Sequence, residues 1–282
     1  MENNQLSSQI CSRVCQTDKY SNYLECNGKL VYHCIKAKKC IIHEKSKEQK
    51  EYIISSINEN VFLKACPGSG KTEVLGLKAA YEISDWKKAN SGIAILTFTN
   101  SAEDEMKNRV EKYMGSNISY PHFIGTFTSW LHGYISNPFL LKFHVDKGKY
   151  EDYSLKLVEN DINADFLNAF KTKYSYGELG KIAANRYYYC LKSGNYVYAG
   201  NDHEKAIFNS FIEKWGINDL KETKWRFWQS GFFTYEDVEV ETLRTLKKHK
   251  ELINIISNRF PLILVDECQD LSLTQIEILN AL

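Results

Sequence analysis

A short apolar run, Val61-Phe62-Leu63-Lys64-Ala65, leads into Cys66-Pro67-Gly68-Ser69-Gly70-Lys71-Thr72, and a helix-like stretch from Glu73 to Ile83 follows. No other segment restricts the fold so tightly. Gly68 and Gly70 let backbone N–H groups converge on an anion, and the helix that follows adds the positive end of its dipole. This is the pattern of a phosphate loop entered from a buried strand, with Ala65 where the generic pattern has its first glycine. Ala65 through Thr72 are therefore the candidate nucleotide-binding residues. Lys71 would reach the β and γ oxygens and is the one side-chain cation the sequence places there, while the Thr72 hydroxyl would ligate Mg²⁺.

A strand of this kind needs a sheet around it. Ile93-Ala94-Ile95-Leu96-Thr97 and Leu262-Ile263-Leu264-Val265 are compact hydrophobic runs suited to burial on both faces of a parallel sheet. Each is followed by a polar turn and a helix-like stretch; Ser101, followed by Glu103 and Asp104, reads as a helix cap with acidic residues in the first turn. Repeated strand, turn and helix units predict an α/β domain with its ligand at the carboxyl ends of the strands. At one such end stand Asp266 and Glu267, the first placed to hold Mg²⁺ through water and the second to accept a proton from an attacking water. Between Pro138 and Pro261 lie 122 residues without proline. Spacings such as Leu155, Val158, Ile162 and Leu243, Leu246 predict a mainly helical insertion there. Tyr187-Tyr188-Tyr189 and Trp225, Phe227, Trp228 read as core packing of that insertion in preference to base-stacking faces.

The chain of 282 residues, 43% hydrophobic and 25% charged, has the composition of a globular protein. Its longest apolar run, Phe260 to Val265, is far shorter than the roughly 20 residues of a membrane span, and the polar start Met1 to Gln9 lacks a signal-peptide core. A cytoplasmic location without membrane contact is expected. Formal charge is 36 − 35 = +1, so contact with nucleic acid must come from local patches. Cys11, Cys15, Cys26, Cys34 and Cys40 cluster in the first forty residues, where Asn27-Gly28 signals a hairpin. Zinc bound by this cluster and reduced thiols without a ligand role are both compatible with the spacing, which lacks a C-x2-C knuckle.

The order of these segments resembles the UvrD/Rep-type helicases of superfamily 1. The resemblance rests on Ala65 to Thr72, on Thr97-Phe98-Thr99-Asn100 followed by Ala102, Glu105, Met106 and Arg109, on Gly125-Thr126-Phe127, and on Asp266-Glu267-Cys268-Gln269-Asp270 with Gln275 beyond. Gln49, 22 residues before Lys71, stands where that family has an adenine-reading glutamine. The resemblance implies a RecA-like ATP-binding lobe in which Lys71, Glu267 and Gln269 are catalytic. Thr72 and Asp266 would hold Mg²⁺, and Thr97, Phe98, Thr99, Asn100, Gly125, Thr126 and Phe127 would line a path for single-stranded DNA. The expected organisation is a Cys-rich appendage (1–45), the first part of the lobe (46–137), the helical insertion (138–235), and the second part with the acidic motif (236–282). The chain thus reads as half a motor that binds ATP and Mg. The rival expectations are a nucleotide-dependent DNA-binding or partner-docking module, or one subunit of a split motor whose second RecA-like lobe comes from another polypeptide.

Overall fold

The computed structural model describes residues 45–64, 66, 68–84, 86–114, 116–140, 155–158 and 184–282. The five clustered cysteines and the Asn27-Gly28 turn lie outside the described residues, as do Ala65, Pro67 and Ile162. Two compact units emerge, Met1–Trp130 with Ile255–Asp270, and Leu131–Asn254 with Leu271–Leu282. Among the described residues no helix is long and apolar enough to cross a membrane.

The first unit is a mixed α/β layer built on β1 (Ile93–Thr97). All five β1 residues are buried, as expected of a strand with parallel neighbours on both edges. Those neighbours are β2 (Phe123–Thr126) and β7 (Leu262–Val265), in the order β2-β1-β7. Helix α1 (Lys47–Ile54) and helix α3 (Asn100–Met114) both pack on α2 (Lys71–Ser84), which is buried almost continuously from Val74 to Ile83. The close approach of α2 to α3 is set at Gly76, where a Cβ would lie 3.1 Å from the Arg109 side chain. Val74, Leu77, Ala80, Ile93, Ile95, Met106 and Val110 form the centre of this core.

Two expectations fail here. The run 61–64 forms no strand: Val61 and Phe62 are 43% and 71% exposed, and only Leu63 packs against the core. Apolar composition makes a strand possible, but a strand also needs a ladder partner and a buried face, and residues 61–64 pair with neither outer edge of the sheet while Val61 and Phe62 stay in solvent. The cap of α3 is Thr99 and not Ser101. The Thr99 hydroxyl accepts the Ala102 N–H at 3.1 Å, so the helix starts at Asn100 and Ser101 falls inside its first turn.

The short helix α4 (Phe127–Leu131) closes this stretch of the first unit, and the second unit holds the π-helical turn that follows it (His132–Leu140), then β3 (Lys156–Leu157), the hairpin β4 (Tyr187–Cys190) and β5 (Asn195–Tyr198), helix α5 (Asp202–Trp215) and helix α6 (Asn218–Gln229). Strand β6 (Phe232–Phe233), helix α7 (Tyr235–Lys248) and helix α9 (Leu273–Ala281) complete it, and helix α8 (Lys250–Arg259) precedes β7. The proline-free interval is therefore not helical throughout. Leu155 to Val158 are extended around β3, and the tyrosine run forms an antiparallel hairpin turned through Gly194 at φ 68°. Cross-strand tyrosine pairs, Tyr187 with Tyr198 and Tyr189 with Tyr196, suit a pleated surface, and the absence of proline permits helix without requiring it. Tyr187, 1% exposed, packs on Phe208, while Leu243 and Leu246 are buried along α7.

A fully buried ion pair anchors this unit. Lys224 Nζ lies 2.6 Å from Asp237 Oδ2, donates to the Ala184 carbonyl at 2.5 Å, and sits over the Tyr187 and Phe227 rings. Asp237 Oδ2 also accepts the Thr234 N–H at 3.2 Å, so one carboxylate caps α7 and neutralises the lysine. Burial pushes Lys224 below and Asp237 above their ordinary pKa, and each opposes the shift of the other. Lys224→Met should leave Asp237 buried and unpaired, and urea unfolding should record a loss of about 3–5 kcal/mol.

Candidate functional site

The glycine-rich loop and the acidic strand end meet within the first unit. Gly68 and Gly70 have φ of 76° and 79°, the left-handed region that a side chain resists, and a Cβ on Gly68 would meet nothing within 4 Å. The Gly70 carbonyl accepts the Val74 N–H at 2.9 Å, so α2 begins as the loop ends and its first N–H groups face the loop. Cys66, Gly68 and Ser69 are exposed.

At the end of β7 the ladder runs one step beyond the strand, with Asp266 N–H donating to the Leu96 carbonyl at 2.9 Å. This fixes Asp266, 6% exposed, against the loop. Its Oδ1 accepts the Thr72 hydroxyl at 3.5 Å and the Glu267 N–H at 3.1 Å. Burial raises the Asp266 pKa, the Thr72 hydrogen bond opposes that shift, and the Glu267 charge adds to it. Glu267 is the one non-glycine residue at positive φ (52°) among the described residues. Its Oε2 lies 4.0 Å from Lys71 Nζ and accepts a hydrogen bond from Gln269 Nε2. Lys71, Thr72, Asp266, Glu267 and Gln269 thus form one constellation.

Gln49 reaches the same loop from α1. Ser46 and Gln49 form a capping box, the Gln49 Oε1 accepting the Ser46 N–H at 3.0 Å, and Gln49 Nε2 donates to the Ser69 carbonyl at 3.1 Å. One turn on, Tyr52 is pushed up to about 12 by burial first, then by Asp266 and Cys268. Burial likewise raises the Cys268 thiol. Two residues here escaped the sequence reading. Tyr52 was legible as the residue three positions after Gln49, on the same helix face. Lys45 makes an ion pair with Glu73 in the first turn of α2, so Lys71 is not the only side-chain cation at the loop. Its lysine-rich surroundings disguise it as a solvated linker.

The remaining candidates gather where β1 and β2 end side by side, Thr97 in register with Thr126. Thr97 is fully buried and its hydroxyl bonds the Thr99 and Gly125 carbonyls, both at 3.4 Å. Gly125 is buried with a Cβ position 2.6 Å from the Phe123 ring, and Phe127, 2% exposed, packs on Trp130. Phe98 and Thr126 are half-buried, and Thr99 and Asn100 are exposed. The Thr126 hydroxyl accepts the Ser129 N–H at 3.1 Å. Among the described residues no group of three or more His, Cys, Asp or Glu side chains could hold a metal, and the cysteine cluster considered for zinc is not described.

A three-stranded parallel sheet flanked by helices, with a glycine-rich loop and an acidic strand end brought together, defines a mixed α/β domain. A family model described as the UvrD/REP helicase N-terminal domain matches residues 45–282, and the chain belongs to that family. It is 26% identical over 246 residues to the "Probable DNA helicase II homolog" of Mycoplasma capricolum, covering 83% of this chain and 32% of that protein. It is also 26% identical to the DNA helicase II of Haemophilus influenzae (79% and 30% covered) and to the ATP-dependent DNA helicase srs2 of Schizosaccharomyces pombe (81% and 26%). The chain thus spans between a quarter and a third of these curated relatives.

The left-handed backbone at Glu267 yields a stability test. Glu267→Gly should raise stability by up to about 1 kcal/mol in urea unfolding, and the β-branched Glu267→Val should lower it.

Proposed function

We propose that this chain is the ATP-binding lobe of an ATP-dependent DNA helicase or translocase, hydrolysing ATP with Mg²⁺ and contacting single-stranded DNA. The observation that carries this reading is the approach of Thr72 to Asp266 beside the Lys71–Glu267 pair, at the mouth of a loop with left-handed glycines. Membership of a helicase family supports it independently.

The residues fit the group they would hold. A hydroxyl and a carboxylate are the hard oxygen ligands that suit Mg²⁺, and the open space at Gly68 leaves the loop backbone accessible to phosphate. Bound there, Mg²⁺ would supply neutralisation of the charge that develops on the phosphate oxygens. Lys71 and the first N–H groups of α2 would bind phosphate, and Gln49, bonded to the Ser69 carbonyl of the loop, would meet the base. Glu267 would take the proton of the attacking water. Gln269, bonded to Glu267, holds that carboxylate in place and is positioned to register its change of charge.

On the DNA side, Phe98, Thr99, Asn100 and Thr126 form the contact surface, with Thr97, Gly125 and Phe127 supporting it from the core. Hydroxyls, an amide and one ring bind a nucleic-acid strand with little charge.

Three measurements test the reading. In calorimetry Lys71→Ala should weaken ATP·Mg²⁺ binding at least about tenfold; equal affinities would remove the loop from the site. Glu267→Gln should bind nucleotide normally and lose about 10²–10⁴-fold in turnover. Single-stranded oligonucleotide should bind weakly, with only a modest salt dependence between about 50 and about 200 mM, because few cations displace counterions. Tight binding at high salt would sink the proposed DNA path.

A further inference from the structure

The phosphate helix carries an acid where a nucleotide needs none. Glu73 lies in the first turn of α2, and its Oε2 is 3.4 Å from where a side chain on Gly70 would begin. A carboxylate at a helix N-terminus satisfies the dipole. The same positive end is what a phosphate loop offers its ligand, so Glu73 both competes for that field and repels the incoming anion.

Lys45, only 11% exposed at its side chain, pairs with Glu73 Oε2 from the start of α1. Burial and then the Glu73 charge raise the pKa of Tyr113 on α3, and Arg109, which opposes that shift, is itself paired with Glu105 at 2.6 Å. With Arg109 and Glu105 cancelling each other, Lys45 is the charge that balances Glu73.

We infer that Lys45 is a positioning residue for nucleotide: it neutralises Glu73 at the phosphate loop, so that the field of the α2 N-terminus is left for phosphate. The inference rests on the nucleotide-binding reading above. It differs from a mechanical clamp of α1 on α2 in the sign of its consequences. Removing Lys45 exposes a negative charge to the phosphates, whereas removing Glu73 exposes a positive one. A clamp is broken equally by either change.

The test is ATP·Mg²⁺ titration of the full chain. Lys45→Met should weaken binding about tenfold and Glu73→Gln should tighten it, while the double variant and Lys45→Arg return close to wild type. The spread between the single variants should collapse in about 1 M salt, where the Debye length is about 3 Å. Should Lys45→Met fail to fold, Glu73→Gln alone decides, because the inference requires tighter binding. Parallel losses in both single variants, or an unchanged Lys45→Met, overturn the inference while leaving the nucleotide site intact. A wild-type chain that binds no ATP·Mg²⁺ overturns the functional reading and this inference with it.

Discussion

A carboxylate taken out of water loses its hydration and must recover the energy from fixed donors. Asp266 is in that position at the end of β7. The sheet supplies the remedy: one ladder bond to Leu96 sets the backbone, and the hydroxyl of Thr72 with the N–H of Glu267 meets the side chain. Thr72 and Asp266 are 194 residues apart in sequence, so this hydrogen bond exists only if α2, β1 and β7 are all in place. The loop, the acidic pair and the helix start are consequences of one packing solution in the first unit.

The second unit solves a similar problem by other means. Its buried charge is a lysine enclosed by two aromatic rings, a carbonyl and the carboxylate that also caps α7. Breaking such a pair is expensive, although making it yields little over an apolar core. The pair therefore restricts which packing the unit can adopt, because few alternatives would place Asp237, Ala184 and the two rings around Lys224 together.

Much of this was legible in the sequence. Glycine spacing before Lys71-Thr72 and an aliphatic run ending in Asp266-Glu267 report local chemistry, and local chemistry survives folding. The order of the motifs was enough to suggest the family that the comparison with known proteins establishes. What stayed hidden depends on partners far along the chain. Residues 61–64 have the composition of a strand but pair with neither outer edge of the sheet. Thr99 takes the cap of α3 because its hydroxyl reaches the Ala102 N–H, a distance no spacing rule contains. Phe127 belongs to the core through Trp130, and Lys45 acquires meaning only from Glu73, 28 residues on. The tyrosines of 187–189, 196 and 198 favour strand, whereas the lack of proline around them is compatible with helix and strand alike.

The Gln49 amide carries a consequence for selectivity. Its oxygen is committed to the Ser46 N–H and one of its N–H groups to the Ser69 carbonyl, so the two ends of the amide cannot be exchanged without breaking a helix cap. The rotor is stilled when α1 folds. Ordering a side chain during binding costs about 0.5–1.5 kcal/mol, and here that entropy is lost before any ligand arrives. What remains is one N–H and one lone pair in fixed polarity, and in the proposed nucleotide-binding reading this template would carry a discrimination between bases written into the cap of a helix.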